Sequence, residues 1–87
     1  MKAVIVTWLD THSFSRWRSK TILKYLEPVR ITSVGLLAYE NDHKVVLVMS
    51  AEGTKDGNLA CGQAIPRSTI VEVRELGEVD IPTQRVE

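Results

Sequence analysis

Cysteine is almost absent: Cys61 stands alone in 87 residues, so no disulfide can form within the chain. A lone thiol fits a reducing compartment, and its expected place is a small, buried or half-buried position rather than a reactive one. Long apolar runs are absent too. The opening MKAVIVTWLD has one lysine and an apolar stretch, but Asp10 ends that stretch after about seven residues and no small-residue cleavage site follows. Nothing approaches the ~20 apolar residues that span a bilayer. The expectation is a soluble cytoplasmic protein with no membrane association. At 87 residues it is also one small domain, in which a large share of every side chain's surface stays near water.

Net charge is missing as well: eleven basic residues balance eleven acids, which argues against a protein that coats nucleic acid wholesale. The balance is not local. Residues 16–30 carry five basic side chains, Arg16, Arg18, Lys20, Lys24 and Arg30, against the single acid Glu27. Residues 72–87 carry five acids against Arg74 and Arg85. Such a split predicts either an anion site on the basic segment or a contact in which one subunit's basic patch meets the next subunit's acidic end.

What is present is strand sequence. Residues 2–9, KAVIVTWL, are β-branched and aromatic. Residues 10–15 have turn chemistry. Residues 18–27 read as a short helix, with Ser19 as N-cap, Ile22, Leu23 and Leu26 on one stripe, and Pro28 as the stop. Residues 29–40 and 44–51 are strands joined by the tight turn NDH. A loop follows at 52–58, a weaker strand at 59–65, a short turn near 66–68, and a strand at 69–76. The tail from 77 onward is polar and proline-broken. Five short strands with one helical excursion after the first predict a mainly β fold. The specific expectation is a small antiparallel SH3-like or Sm-like barrel over residues 1–76, with a polar tail at 77–87. Gly35 and Gly62 are read as positions where the barrel bends.

An antiparallel strand with one wet face alternates apolar and polar residues. Residues 44–51 do not: Val45, Leu47 and Met49 point one way, Val46 and Val48 the other. Residues 2–9 repeat the pattern, with Val4, Val6 and Trp8 opposed to Ile5 and Leu9. Both faces ask for burial. The prediction is a homo-oligomer whose interface includes Val46, Val48, Ile5 and Leu9.

No constellation points to catalysis. Asp10, His12 and Ser13 are adjacent, whereas a triad needs members converging from separate positions beside an oxyanion hole. His43 is the only other histidine and there is no cysteine pair, so no metal site and no cofactor are expected. The loop EGTKDGN has glycines and a lysine without the phosphate-loop spacing or a following helix. Trp8 belongs in a core. Trp17 is the residue whose direction matters. Turned inward it is one more core ring. Turned outward, with Arg16, Arg18, Lys20, Lys24 and Arg30 around it, it forms an aromatic and cationic platform able to stack a base and neutralise phosphates.

The segments VTWLD, RWRS, TSVGLL and IPRSTIVEVREL together resemble a group of small proteins encoded by bacteriophages and prophages. The resemblance covers about residues 4–76. It implies a phage gene expressed in a bacterial host cytoplasm and carries no catalytic residues with it. More loosely the chain resembles Sm-like barrels, but it lacks their nucleic-acid-binding signature residues. The leading expectation is therefore a non-catalytic, homo-oligomeric interaction protein acting on a host or phage partner. A nucleotide or nucleic-acid binder, including one that sequesters a host signalling nucleotide, comes next. A minor virion component follows.

Overall fold

The computed structural model describes residues 1–11, 13, 15–54 and 56–83. Five strands account for most of it: β1 (Lys2–Asp10), β2 (Val29–Glu40), β3 (Lys44–Ala51), β4 (Leu59–Pro66) and β5 (Ile70–Glu78). A one-turn helix α1 (Lys20–Leu23) lies between β1 and β2, and a 3₁₀ turn, Arg67–Thr69, joins β4 to β5. All pairings are antiparallel, in the order β4-β3-β2-β1-β5. The fold is mainly β, as the sequence predicts. No described helix is long and apolar enough to cross a membrane.

The strand order requires a rolled sheet. β4 and β5 lie at opposite ends, so in a flat sheet they would be about 19 Å apart, at four inter-strand spacings. Yet only the three residues of Arg67–Thr69 join them. A 3₁₀ turn of that length rises about 6 Å. The sheet must therefore curl until the end of β4 comes close to the start of β5. Two irregularities in the β1–β5 register and one between Leu37 and Tyr39 on β2 supply local twist. Gly35 supplies the tightest approach. A Cβ built there would lie 3.1 Å from the Val48 carbonyl oxygen and 3.3 Å from Leu47 Cβ. At Gly62 the nearest atoms would be the Leu47 carbonyl oxygen at 3.3 Å and Val48 Cγ1 at 3.4 Å. Both glycines allow β3 to pass close by.

The core lies inside the curl. Val4 and Val6 of β1, Val45 and Leu47 of β3, and Ile65 of β4 are buried, with Trp8, Leu37 and Ile70 packed around them. Register explains the set, since Val45 faces Ile65 and Leu37 faces Leu47. Each such aliphatic side chain contributes about 1.5–3 kcal/mol by leaving water. Polar groups bridge the same face. Trp8 Nε1 donates to Ser33 Oγ at 3.0 Å, and Ser33 Oγ donates to Gln63 Oε1 at 3.2 Å. That second bond spans from β2 to β4 over β3, which the concave curl permits.

The second apolar face differs from expectation. Val48 is only 6% exposed within the single chain, so it needs no second subunit to cover it. It sits between Leu36 and Gly62, and the missing side chain at 62 leaves it room. Val46 and Ile5 are half-buried and Leu9 is exposed at the rim. Met49, assigned to the core face, is 74% exposed because β2 pairing ends at Leu36↔Val48, one residue short of it. Cys61 is exposed rather than buried. Its φ of 58° lies in the left-handed region, which turns its side chain out of the strand's regular alternation. β5 runs to Glu78, two residues beyond its predicted end, and Val79 N–H donates to the Met1 carbonyl at 2.7 Å. The first part of the expected tail is thus tied to the sheet, while residues 84–87 lie outside the described residues.

Candidate docking arm

The β1–β2 hairpin does not close with a tight turn. Asp10 and Val29 are the last paired residues, and the 18 residues between them form an arm. The predicted helix over 18–27 is reduced to α1, four residues long, and it buries none of them. Its sequence accounts for this. Ser19 occupies the N-cap position with extended backbone, but its side chain makes no capping bond. The first turn holds Lys20 and no acid, the unfavourable sign for a helix N-terminus. Thr21 and Ile22 are β-branched. An isolated helix of this length has little stability of its own, and no packed face is present to hold it. Beyond Leu23 the chain continues in single turns, with Tyr25 N–H donating to the Ile22 carbonyl and Leu26 N–H to the Leu23 carbonyl.

The stripe read as core is therefore on the surface. Ile22 and Leu23 are exposed and Leu26 is half-buried. Tyr25 is 71% exposed, with Lys24 Nζ 5.1 Å from its ring centroid. Trp17 settles the question its neighbours raise: at 102% relative exposure, the ring points wholly into solvent. Arg16, Trp17 and Arg18 join Ser15 and Leu23 around an open, shallow cavity of about 290 Å³. Lys20 opens α1 and Lys24 is its C-cap. Arg30 stands apart, opposite Leu9 on the hairpin at the arm's base. Of the six residues expected in the site, three, Arg16, Trp17 and Arg18, are brought together, and Lys20, Lys24 and Arg30 lie outside the cavity's lining. No salt bridge joins Arg16, Arg18 or Lys20 to an acid among the described residues. Sequence reading missed Ile22, Leu23 and Tyr25 as exposed apolar contacts. The signal available was a stripe one turn long with no second helix to pack against.

The other predicted features take structural places. Asp10 Oδ1 accepts from the Thr11 N–H at 2.8 Å, a local loop bond. His12 lies outside the described residues, as does Phe14. His43 is in the β2–β3 turn, which Asn41 organises by accepting from the His43 and Lys44 N–H groups at 2.8 and 3.0 Å. Arg67 fastens the 3₁₀ turn to that same corner through the Asn41 carbonyl at 2.8 Å and Glu40 at 3.2 Å. No group of three or more metal-binding side chains occurs among the described residues. A second open cavity, also about 290 Å³, lies between Ser33, Val34, Met49, Cys61 and Gln63. No protein family, no curated protein and no solved structure matches the chain.

Proposed function

We propose that this is a small, non-catalytic, homo-oligomeric protein that works by binding, and that the arm between β1 and β2 is its contact element. One observation carries the reading. The arm displays Trp17, Ile22, Leu23 and Tyr25 to solvent while α1 buries no residue. Isolated exposed apolar residues are ordinary, but a cluster on a projecting element marks an interaction surface. Trp, Tyr and Arg are the residues that carry most binding energy at protein interfaces, and this arm has all three. The resemblance to phage and prophage proteins suggests the setting: a bacterial host cytoplasm, with a host or phage protein as the partner to be modulated.

A second reading rests on Trp17 itself. An outward ring between two arginines is the platform that would stack a base while the cations meet phosphate, worth about 1–3 kcal/mol per stacked base. A nucleotide or nucleic-acid ligand fits that chemistry.

Native mass spectrometry of protein purified gently from a bacterial host separates these readings. A discrete oligomer without added mass is the expected result, and pull-downs would then identify the partner. Added mass matching nucleotides on the wild type, lost in Arg16→Ala/Arg18→Ala, would favour the second reading. That binding should also weaken steeply with salt, because neutralised phosphates release counterions. A monomer carrying nothing would refute the oligomeric reading.

A further inference from the structure

We infer that β2 accepts an extended segment of the partner protein in a split within the sheet, between Val29–Val34 and the end of β3. This rests on the partner-protein reading above, names the segment's chemistry, and does not depend on the oligomeric state.

β2 has a neighbour on both sides over only part of its length. Its pairing with β1 runs from Val29 to Leu36, whereas its pairing with β3 begins at Leu36. Val29–Val34 therefore have no strand on their second side, and no loop or turn of the described residues hydrogen-bonds to their backbone. Backbone groups of a strand alternate between its two sides, so about half of those in this run face the split. β3 departs from β2 where its own pairing with β4 is irregular. That ladder omits Met49 and Cys61, and the φ of 58° at Cys61 marks a kink there. Val34 and Met49, on the two walls of the split, are 64% and 74% exposed. The open cavity of about 290 Å³ lies between them.

The backbone selects the occupant. An extended chain presents N–H and C=O groups at the spacing of a strand edge, whereas a helix bonds its own. Six residues, about 20 Å, are the length of an ordinary strand. A segment that takes up the direction of β3 lies antiparallel to β2, as every pair in this sheet does. Cross-strand neighbours then select its side chains. Opposite Val34, an aliphatic residue covers the cavity mouth. Opposite Ser33, whose hydroxyl bonds Gln63, a hydroxyl fits. Opposite Arg30, which has no acid partner among the described residues, a carboxylate fits. A second copy's arm would bring Arg16, Arg18 and Lys20 to Arg30 instead, placing like charges together. The segment is thus β-branched and extended, with an aliphatic residue first and an acid four positions later.

The probe is a fluorescein-labelled peptide, Ile-Thr-Val-Val-Glu-Thr, which lies from Val34 back to Val29. Fluorescence anisotropy should show saturable binding. Val34→Glu, at an exposed position, should weaken it about 10-fold or more, and Lys in place of the peptide's Glu about 3-fold or more. Arg16→Ala/Arg18→Ala should leave it within about 2-fold. Two peptides N-methylated at alternate positions test the backbone itself. The one whose methyl groups face β2 should lose about 10-fold or more, and the other should keep its affinity. Hydrogen exchange followed by NMR needs no variant to fold. The amides of Val29–Val34 that face the split should exchange fast in the free protein and become protected with saturating peptide. Absence of saturable binding, indifference to Val34→Glu, equal effects of the two methylations, or protection of all these amides in the free protein would each overturn the inference. Binding lost only in the arm variant would also overturn it, while leaving the arm as the contact element. A monomer in native mass spectrometry removes the oligomeric reading and leaves the peptide result as it stands.

Discussion

Replacing residues 15–28 with Gly-Gly should leave the folded sheet nearly as stable as before, although it removes about a seventh of the chain. The connection between Asp10 and Val29 falls from 18 residues to six. Loop closure becomes easier by about 1 kcal/mol, since each doubling of loop length costs about 0.6 kcal/mol. Against this stands the half-burial of Leu26, worth about 1 kcal/mol as half of a full leucine transfer. The two effects cancel to within about 1 kcal/mol. An arm packed as part of the core would behave differently, because truncating one well-buried leucine alone costs about 2–5 kcal/mol. Urea unfolding at low micromolar concentration gives the comparison. Concentration matters, because association adds stability by mass action and the arm is the proposed contact. The wild type's midpoint should rise with protein concentration and the shortened variant's should not. A loss above about 2 kcal/mol at the lowest concentration would show that the arm supports the fold, and the reasoning that assigns it to binding would fail.

Four further expectations follow from single sites. Gly35→Ala gains about 0.5–1 kcal/mol from reduced chain entropy, but its Cβ meets the Val48 carbonyl at 3.1 Å, and overpacking of backbone costs about 1–3 kcal/mol; thermal melting should show net destabilisation, and an unchanged or higher midpoint would contradict the close-approach argument. Ile65→Ala, at a position 1% exposed, should cost about 2–5 kcal/mol by chemical denaturation, a loss large enough to unfold a domain this small. Trp17→Ala should leave the melting curve within about 0.5 kcal/mol of wild type while weakening self-association, because the ring touches no core. Arg67→Ala removes one hydrogen bond to a backbone carbonyl and one partly exposed ion pair, and should cost about 1 kcal/mol; an effect beyond about 3 kcal/mol would mean that the 3₁₀ turn is held to the β2–β3 corner more tightly than these two bonds allow.

The strands were legible in the sequence because each has its own local signal. Residues 29–40 and 44–51 have the bounds read from β-branched runs and the Asn41 turn, and β1, β4 and β5 differ by one or two residues at their ends. That Gly35 and Gly62 are special strand positions was legible too, and what the structure shows there is close approach of β3. The helix was less so. Apolar spacing at Ile22, Leu23 and Leu26 says that these residues share a side; it does not say that anything lies against that side. The same limit applies to Val48. It is buried between Leu36 and Gly62, pairing partners distant in sequence. The basic segment was found from charge alone, but the direction of Trp17 depended on whether the arm packs, which no local pattern contains.

Whether the molecule associates through its arm or by adding strands at its edges is decided by how those edges are built. An open, flat, apolar edge pairs readily with another chain. Neither edge here is of that kind. β4 has Gly62 within it, Cys61 at φ 58° next to that glycine, and Pro66, which has no N–H to donate, as its last residue. β5 alternates charge along its length through Glu72, Arg74 and Glu75, and its pairing with β1 is twice interrupted. Charge and irregularity both work against a regular ladder between copies. Its glutamates are also engaged within the chain, Glu75 with Lys2 at 3.8 Å and Glu78 with the N-terminal ammonium at 2.9 Å. The β5 edge is therefore poorly suited to continuing the sheet, and contact between copies by strand addition is disfavoured at both edges.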